Sequence, residues 1–108
     1  MTLLQICSKL NGEWITPPLG QLPAQFFAGD SISFALASLK INDVWITTEN
    51  SLNAVAVAFS RRISCIILAS GVQMADAVRN QAAEHQITVL SSNFSTFEIC
   101  AVLGGEIR

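Results

Sequence analysis

Residues 44–68 read VWITTENSLNAVAVAFSRRISCIIL, and their pattern decides the fold. The first four, Val44-Trp45-Ile46-Thr47, and the last four, Cys65-Ile66-Ile67-Leu68, are short apolar runs rich in β-branched residues, as expected of strands covered on both faces. Between them Asn50 and Ser51 offer a helix cap, and Leu52 to Phe59 form an alanine-rich helical segment. Strands separated by a helix pair in parallel through a right-handed crossover, because a tight hairpin cannot join parallel strands.

The same order extends in both directions. Upstream, Gln25-Phe26-Phe27-Ala28 reads as a strand ending at Gly29-Asp30, after which Ser31 or Asp30 can cap a helix with apolar positions Ile32, Ala35, Leu36 and Leu39. Downstream, Ser70-Gly71 turns the chain into a helix expected over Gln73 to His85. Thr88-Val89-Leu90 follows as a strand, and Ser95-Thr96-Phe97-Glu98 as a capping box opening a helix to about Leu103. At the start, Thr2-Leu3-Leu4-Gln5 is another capping box, leading to a helix that Asn11-Gly12 stops. Glu13 to Thr16 is a brief strand, and Pro17-Pro18 with Gly20 makes residues 17–23 a surface loop. The expected fold is α/β, a three-layer sandwich with a mostly parallel sheet and alternating strands and helices, in one domain over residues 1–108. Asn53 to Ala58 alternates Ala and Val on nearly every side of its helix, so more than one neighbour should bury it; it is the candidate inter-layer or dimer contact.

Composition supports a folded domain: 51% of residues are hydrophobic and 13% charged, far from the signature of disorder. So little charge leaves little polar surface, and a homodimer covering one apolar face is the expectation. Net charge is −2, and the basic residues are scattered as Lys9, Lys40, Arg61, Arg62, Arg79 and Arg108, which argues against nucleic acid as a partner. No apolar run reaches the length of a membrane span and no signal peptide opens the chain, so a cytoplasmic location without a membrane partner is expected. Cys7, Cys65 and Cys100 are odd in number and widely spaced, and read as reduced core residues.

In a parallel sheet, ligands sit beyond the carboxyl ends of the strands. The loops there contain Thr48, Glu49 and Asn50; Ala69, Ser70 and Gly71; and Ser91, Ser92 and Asn93. Hydroxyls, amides and glycine in such loops, with helix N-termini behind them, suit an anionic ligand such as a phosphate or carboxylate. The same residue types are also ordinary caps and turn formers. Candidate ligand-binding residues are Thr48, Asn50, Ser51, Ser70, Gly71, Ser92 and Asn93; Asp30 and Glu49 are the carboxylates nearest this edge. No catalytic residue, metal site or cofactor is expected. Gly104-Gly105 lacks the lysine of a phosphate-transfer loop, and acidic residues are spread singly. The sole histidine, His85, sits at a helix C-terminus, where it complements the dipole. Arg61 and Arg62 could hold the last carbonyls of their helix or an anionic partner, the first role being favoured. Trp14, Trp45, Phe26 and Phe27 flank strands as packing residues.

Over residues 29–103 the chain resembles the DRTGG-domain family, particularly small members related to the non-catalytic N-terminal domain of HPr kinase/phosphorylase. The resemblance rests on Gly29-Asp30, Asp43 to Thr47, Asn53 to Ala58, Ile66-Ile67-Leu68 with Gly71, and Ile87 to Ser91 with Phe97-Glu98. It implies an α/β fold, frequent dimerisation and a regulatory or ligand-sensing role without catalysis. The family's Asp-Arg is replaced here by Asn50-Ser51, and its Thr-Gly-Gly by Ala69-Ser70-Gly71. The expected function is therefore a non-catalytic regulatory domain binding a small anionic metabolite or nucleotide. The alternative is a dimeric protein-interaction or scaffold subunit without a small ligand.

Overall fold

A computed structural model describes residues 1–105. Its elements are α1 (Leu3–Lys9), β1 (Glu13–Thr16), β2 (Phe26–Ala28), α2 (Ile32–Ser38), β3 (Val44–Thr47), α3 (Leu52–Arg61), β4 (Cys65–Leu68), α4 (Asp76–Glu84), β5 (Val89–Ser91) and α5 (Thr96–Gly104). The strands form one five-stranded sheet in the order β1-β5-β4-β3-β2. Strands β2 to β5 are parallel; β1 joins the far edge antiparallel to β5.

Both central strands are buried at every position, which is why they read as continuous apolar runs. Their alternate side chains feed two cores. Trp45, Ile66, Leu68 and Val89 pack on one face with Ala35, Leu39, Ala54, Val55, Val57, Ala58 and Ala82, from or just after α2, α3 and α4. Val44, Ile46, Cys65, Ile67 and Leu90 pack on the other with Leu3, Ile6, Leu10, Ile99 and Leu103, from or beside α1 and α5. The result is the three-layer α/β sandwich expected from the strand–helix alternation. Helix α3 lies between α2 and α4, so the alanine-rich segment is an inter-layer contact, small enough for close approach to the sheet. Trp45 is wholly buried, and its indole N–H donates to the Gly29 carbonyl at 2.8 Å, giving the largest core side chain a polar anchor.

Three local expectations need correction. Helix α4 begins at Asp76 rather than Gln73. The carbonyls of Val72 and Gln73 accept from Ser91 Oγ and Asn50 Nδ2, which holds this segment out of the helix. Strand β5 runs one residue later than the apolar pattern indicated, from Val89 to Ser91. The last carbonyls of α3 are held by backbone, not by arginine side chains: the N–H of Arg62, the C-cap at φ 54°, points to Ala58 and Phe59, and the N–H of Ile63 to Ala58.

Of the cysteines, all free, Cys65 is buried while Cys7 and Cys100 are half-buried against the α1/α5 core. Burial pushes the Cys65 thiol far up and raises that of Cys7, whose Sγ–H donates to the Gly12 carbonyl. Among the described residues no helix is long and apolar enough to cross a membrane.

Candidate functional site

All four parallel strands end on one side of the molecule, at Ala28, Thr47, Leu68 and Ser91. The loops that follow are tied to one another. After β2, the Asp30 carboxylate accepts from Thr47 Oγ1 and from the Thr48 backbone N–H, both at 2.8 Å. After β3, Asn50 Nδ2 donates to the Gln73 carbonyl at 2.7 Å, crossing to the loop after β4. That loop is joined to the one after β5 by two backbone bonds, Ser70 N–H to the Phe94 carbonyl at 2.7 Å and Gly71 N–H to the Ser92 carbonyl at 2.8 Å. The four loops thus form one hydrogen-bonded rim.

The turn at 69–72 explains its sequence. Val72 N–H bonds back to the Ala69 carbonyl, and both central residues have positive φ, 59° at Ser70 and 70° at Gly71. Such a turn is free of strain only with glycine-like residues at both positions. Ser70 bears the cost here. A side chain on Gly71 would also meet Asn93 Oδ1 at 2.8 Å.

The sequence-derived candidates divide into two groups. Thr48, Asn50, Ser70, Gly71 and Asn93 stand at the rim, exposed or half-buried. Ser51 is also at the rim as the N-cap of α3, its Oγ accepting from the Ala54 N–H. Ser92 is different: it is buried, its hydroxyl donates to the Leu10 carbonyl at 2.8 Å and accepts from the Phe94 N–H at 3.1 Å. It ties the rim to the end of α1 and presents nothing outward. Sequence reading missed Gln73, which it placed in a helix; its Nε2 reaches Gly71 O and Ser91 Oγ at 3.4 and 3.5 Å. No local signal marks it, because α4 opens at Ala75 without a side-chain cap and the bonds that hold Gln73 out of the helix come from Asn50 and Ser91.

Electrostatically the rim has no basic side chain: residues 29–31, 48–51, 69–73 and 92–95 contain Asp30 and Glu49 but neither Lys nor Arg. The Thr48 backbone N–H, and next the Thr47 hydroxyl, hold the Asp30 carboxyl below the usual carboxylate range. Positive potential comes instead from the N-termini of α3 and α5, which open at Ser51 and Ser95. Among the described residues no group of three or more His, Cys, Asp or Glu is placed to hold a metal ion.

The fold is shared with known proteins. The DRTGG-domain profile matches residues 5–105. Among solved structures, the CBS and DRTGG domains of the regulatory region of Clostridium perfringens pyrophosphatase, complexed with the activator diadenosine tetraphosphate, superpose with a TM-score of 0.81 at 15% identity, over 94% of this chain and 45% of that one. The chain therefore spans less than half the length of that structure, and identity this low speaks to the fold alone. A comparison with curated proteins returned no match. With a profile match running from α1 to the last described residue, the chain belongs to the DRTGG-domain family.

Proposed function

We propose that this domain is a non-catalytic regulatory module that senses a small anionic metabolite or nucleotide at the carboxyl edge of its sheet. The observation that carries the reading is the rim itself: loops from four strands bonded to one another through Asp30–Thr48, Asn50–Gln73 and Gly71–Ser92. A ligand touching one loop bears on all of them, as a sensor needs. The membership of a similar DRTGG domain in a regulatory region complexed with a dinucleotide is consistent with it.

Charge narrows the mode of binding. An anion at this rim is held by backbone amides at the N-termini of α3 and α5, supplemented by Thr48, Asn50, Ser51, Ser70 and Asn93, and not by ion pairs. With Asp30 and Glu49 close by, a polyphosphate docks through its nucleoside end or brings a cation with its phosphates.

The test is thermal unfolding against a panel of nucleotides and phosphorylated metabolites. A ligand present at about 100 times its dissociation constant adds about 2.7 kcal/mol, a rise of several degrees for a domain this size. The double variant Asn50→Ala/Ser70→Ala should fold and lose the rise. An undiminished rise in that variant would remove the site from this edge. Ser92 is unsuited to the test because its hydroxyl is buried and engaged by Leu10 and Phe94, away from any ligand at the rim.

A second reading, a dimeric or partner-binding subunit, is favoured by one observation. Leu52 and Phe59 on α3 are 54% and 55% exposed, and Phe34 on the adjoining α2 is 70% exposed. Self-association by sedimentation, abolished by Phe34→Ser with Leu52→Ser, would support it; a monomer at high concentration would count against a dimer.

A further inference from the structure

The opposite edge of the sheet, where the parallel strands begin, holds a cavity of about 420 Å³ that the carboxyl-edge reading does not use. It is framed by the C-terminal ends of α3 and α4 and by residues leading into β3, β4 and β5. Its volume falls within the range of small-molecule sites, roughly 300–1,000 Å³.

Three residues lining it, Asn42, Arg62 and Gln86, have left-handed backbone, with φ of 68°, 54° and 59°. Glycine takes this conformation without steric cost and is the usual choice where a helix ends in it. Here all three positions keep long or polar side chains, and these make no hydrogen bond or ion pair with the other described residues. Beside them Phe59 and His85 stand with ring centroids 4.8 Å apart and planes tilted by 45°, and Phe59 is more than half exposed. Gln21 is a wall rather than a binding group, since its amide is engaged by the Leu19 N–H and Thr88 Oγ1 at 2.7 Å each.

The geometry points to a binding site for a flat heteroaromatic ring that carries one carboxylate. The Arg62 guanidinium matches a planar carboxylate through two parallel N–H donors. A single charge is specified because α3 and α4 direct their carbonyl ends, with partial negative charge, to this edge. One guanidinium offsets one ligand charge against that field and leaves a dianionic phosphate in excess. The side-chain oxygens of Asn42 and Gln86 accept from a ring N–H, and Phe59 supplies an aromatic surface for the ring. This site is independent of the carboxyl-edge reading.

The left-handed backbone provides a clean test, because glycine suits these positions. Arg62→Gly and Gln86→Gly should keep or raise the unfolding midpoint while removing the side chains. Calorimetric titration would use indole-3-acetate as probe, with indole and acetate as its separate halves. The wild type should bind indole-3-acetate at least about tenfold more tightly than either half, and Arg62→Gly should lose at least about tenfold. Asn50→Ala/Ser70→Ala should bind it unchanged, which separates this site from the other edge. Absence of binding by the wild type, or equal binding by folded Arg62→Gly, would overturn the assignment.

Discussion

At the scale of single residues, the rim is built by backbone conformation as much as by side-chain chemistry. Gly71 has a φ of 70° and Asn93 beside its missing Cβ, so Gly71→Ala should cost about 1–2 kcal/mol in a denaturant titration; Asn93 is exposed and can swing aside, which limits the cost. Asp30 gives a pH signature. Its carboxyl is held low by the Thr48 N–H and then the Thr47 hydroxyl, so the folded state favours the ionised form. The stability this provides is present above the unfolded pKa of about 3.9 and lost as pH falls through the lower folded value. Asp30→Asn should therefore be less stable than wild type at neutral pH, with the gap closing in acid; because Asp30 is exposed, the gap should be small. A gap that widens in acid would contradict the hydrogen-bond account. Both capping boxes were legible in the sequence because their partners lie three residues away; at α2 and α3 the sequence offered Ser31 or Asp30 and Asn50 with Ser51, and the serines are the caps. The role of Ser92 was not legible, since its partner Leu10 lies 82 residues off.

At the scale of elements, the strands from 44 and 65 were legible because both faces are buried and the runs are uninterrupted. Strand β1 was legible as a strand but not in its direction: Trp14 and Ile15 are only half-buried, so its pattern names no partner. The structure pairs it antiparallel with β5, and a side chain completes the pairing at its end. In a register irregularity, Thr16 Oγ1 donates to the Ile87 carbonyl at 2.6 Å and accepts from the Val89 N–H at 2.7 Å. Thr16→Val keeps the shape and leaves two buried backbone groups unpaired, which should cost about 2–4 kcal/mol. Amide exchange should report where: protection at Val89 should fall more than at Ile66 in the centre of the sheet. Equal loss at both would mean that Thr16 supports the whole fold and not this edge. The late start of α4 was hidden for the opposite reason, since residues 73–75 are compatible with helix and only the long-range bonds to Asn50 and Ser91 hold them out of it.

At the scale of the whole molecule, the sheet separates two edges of different character. The carboxyl edge is a rim of hydroxyls, amides and helix N-termini with Asp30 and Glu49; the amino edge carries Arg62, His85 and two helix C-termini around a cavity. Alternation of strands and helices in the sequence foretold that loops would collect at one edge, and they do. It could not foretell that they would be bonded across one another, because that depends on register between strands distant in the chain. Whether the carboxyl rim receives the regulatory ligand is decided by an amide NMR titration with adenosine nucleotides. Ligand at the rim should shift the amides of residues 48–51, 70–73 and 92–95, and the shifts should be abolished in Asn50→Ala/Ser70→Ala. Saturating nucleotide that leaves those amides unmoved, or moves only residues elsewhere, would contradict binding at the rim.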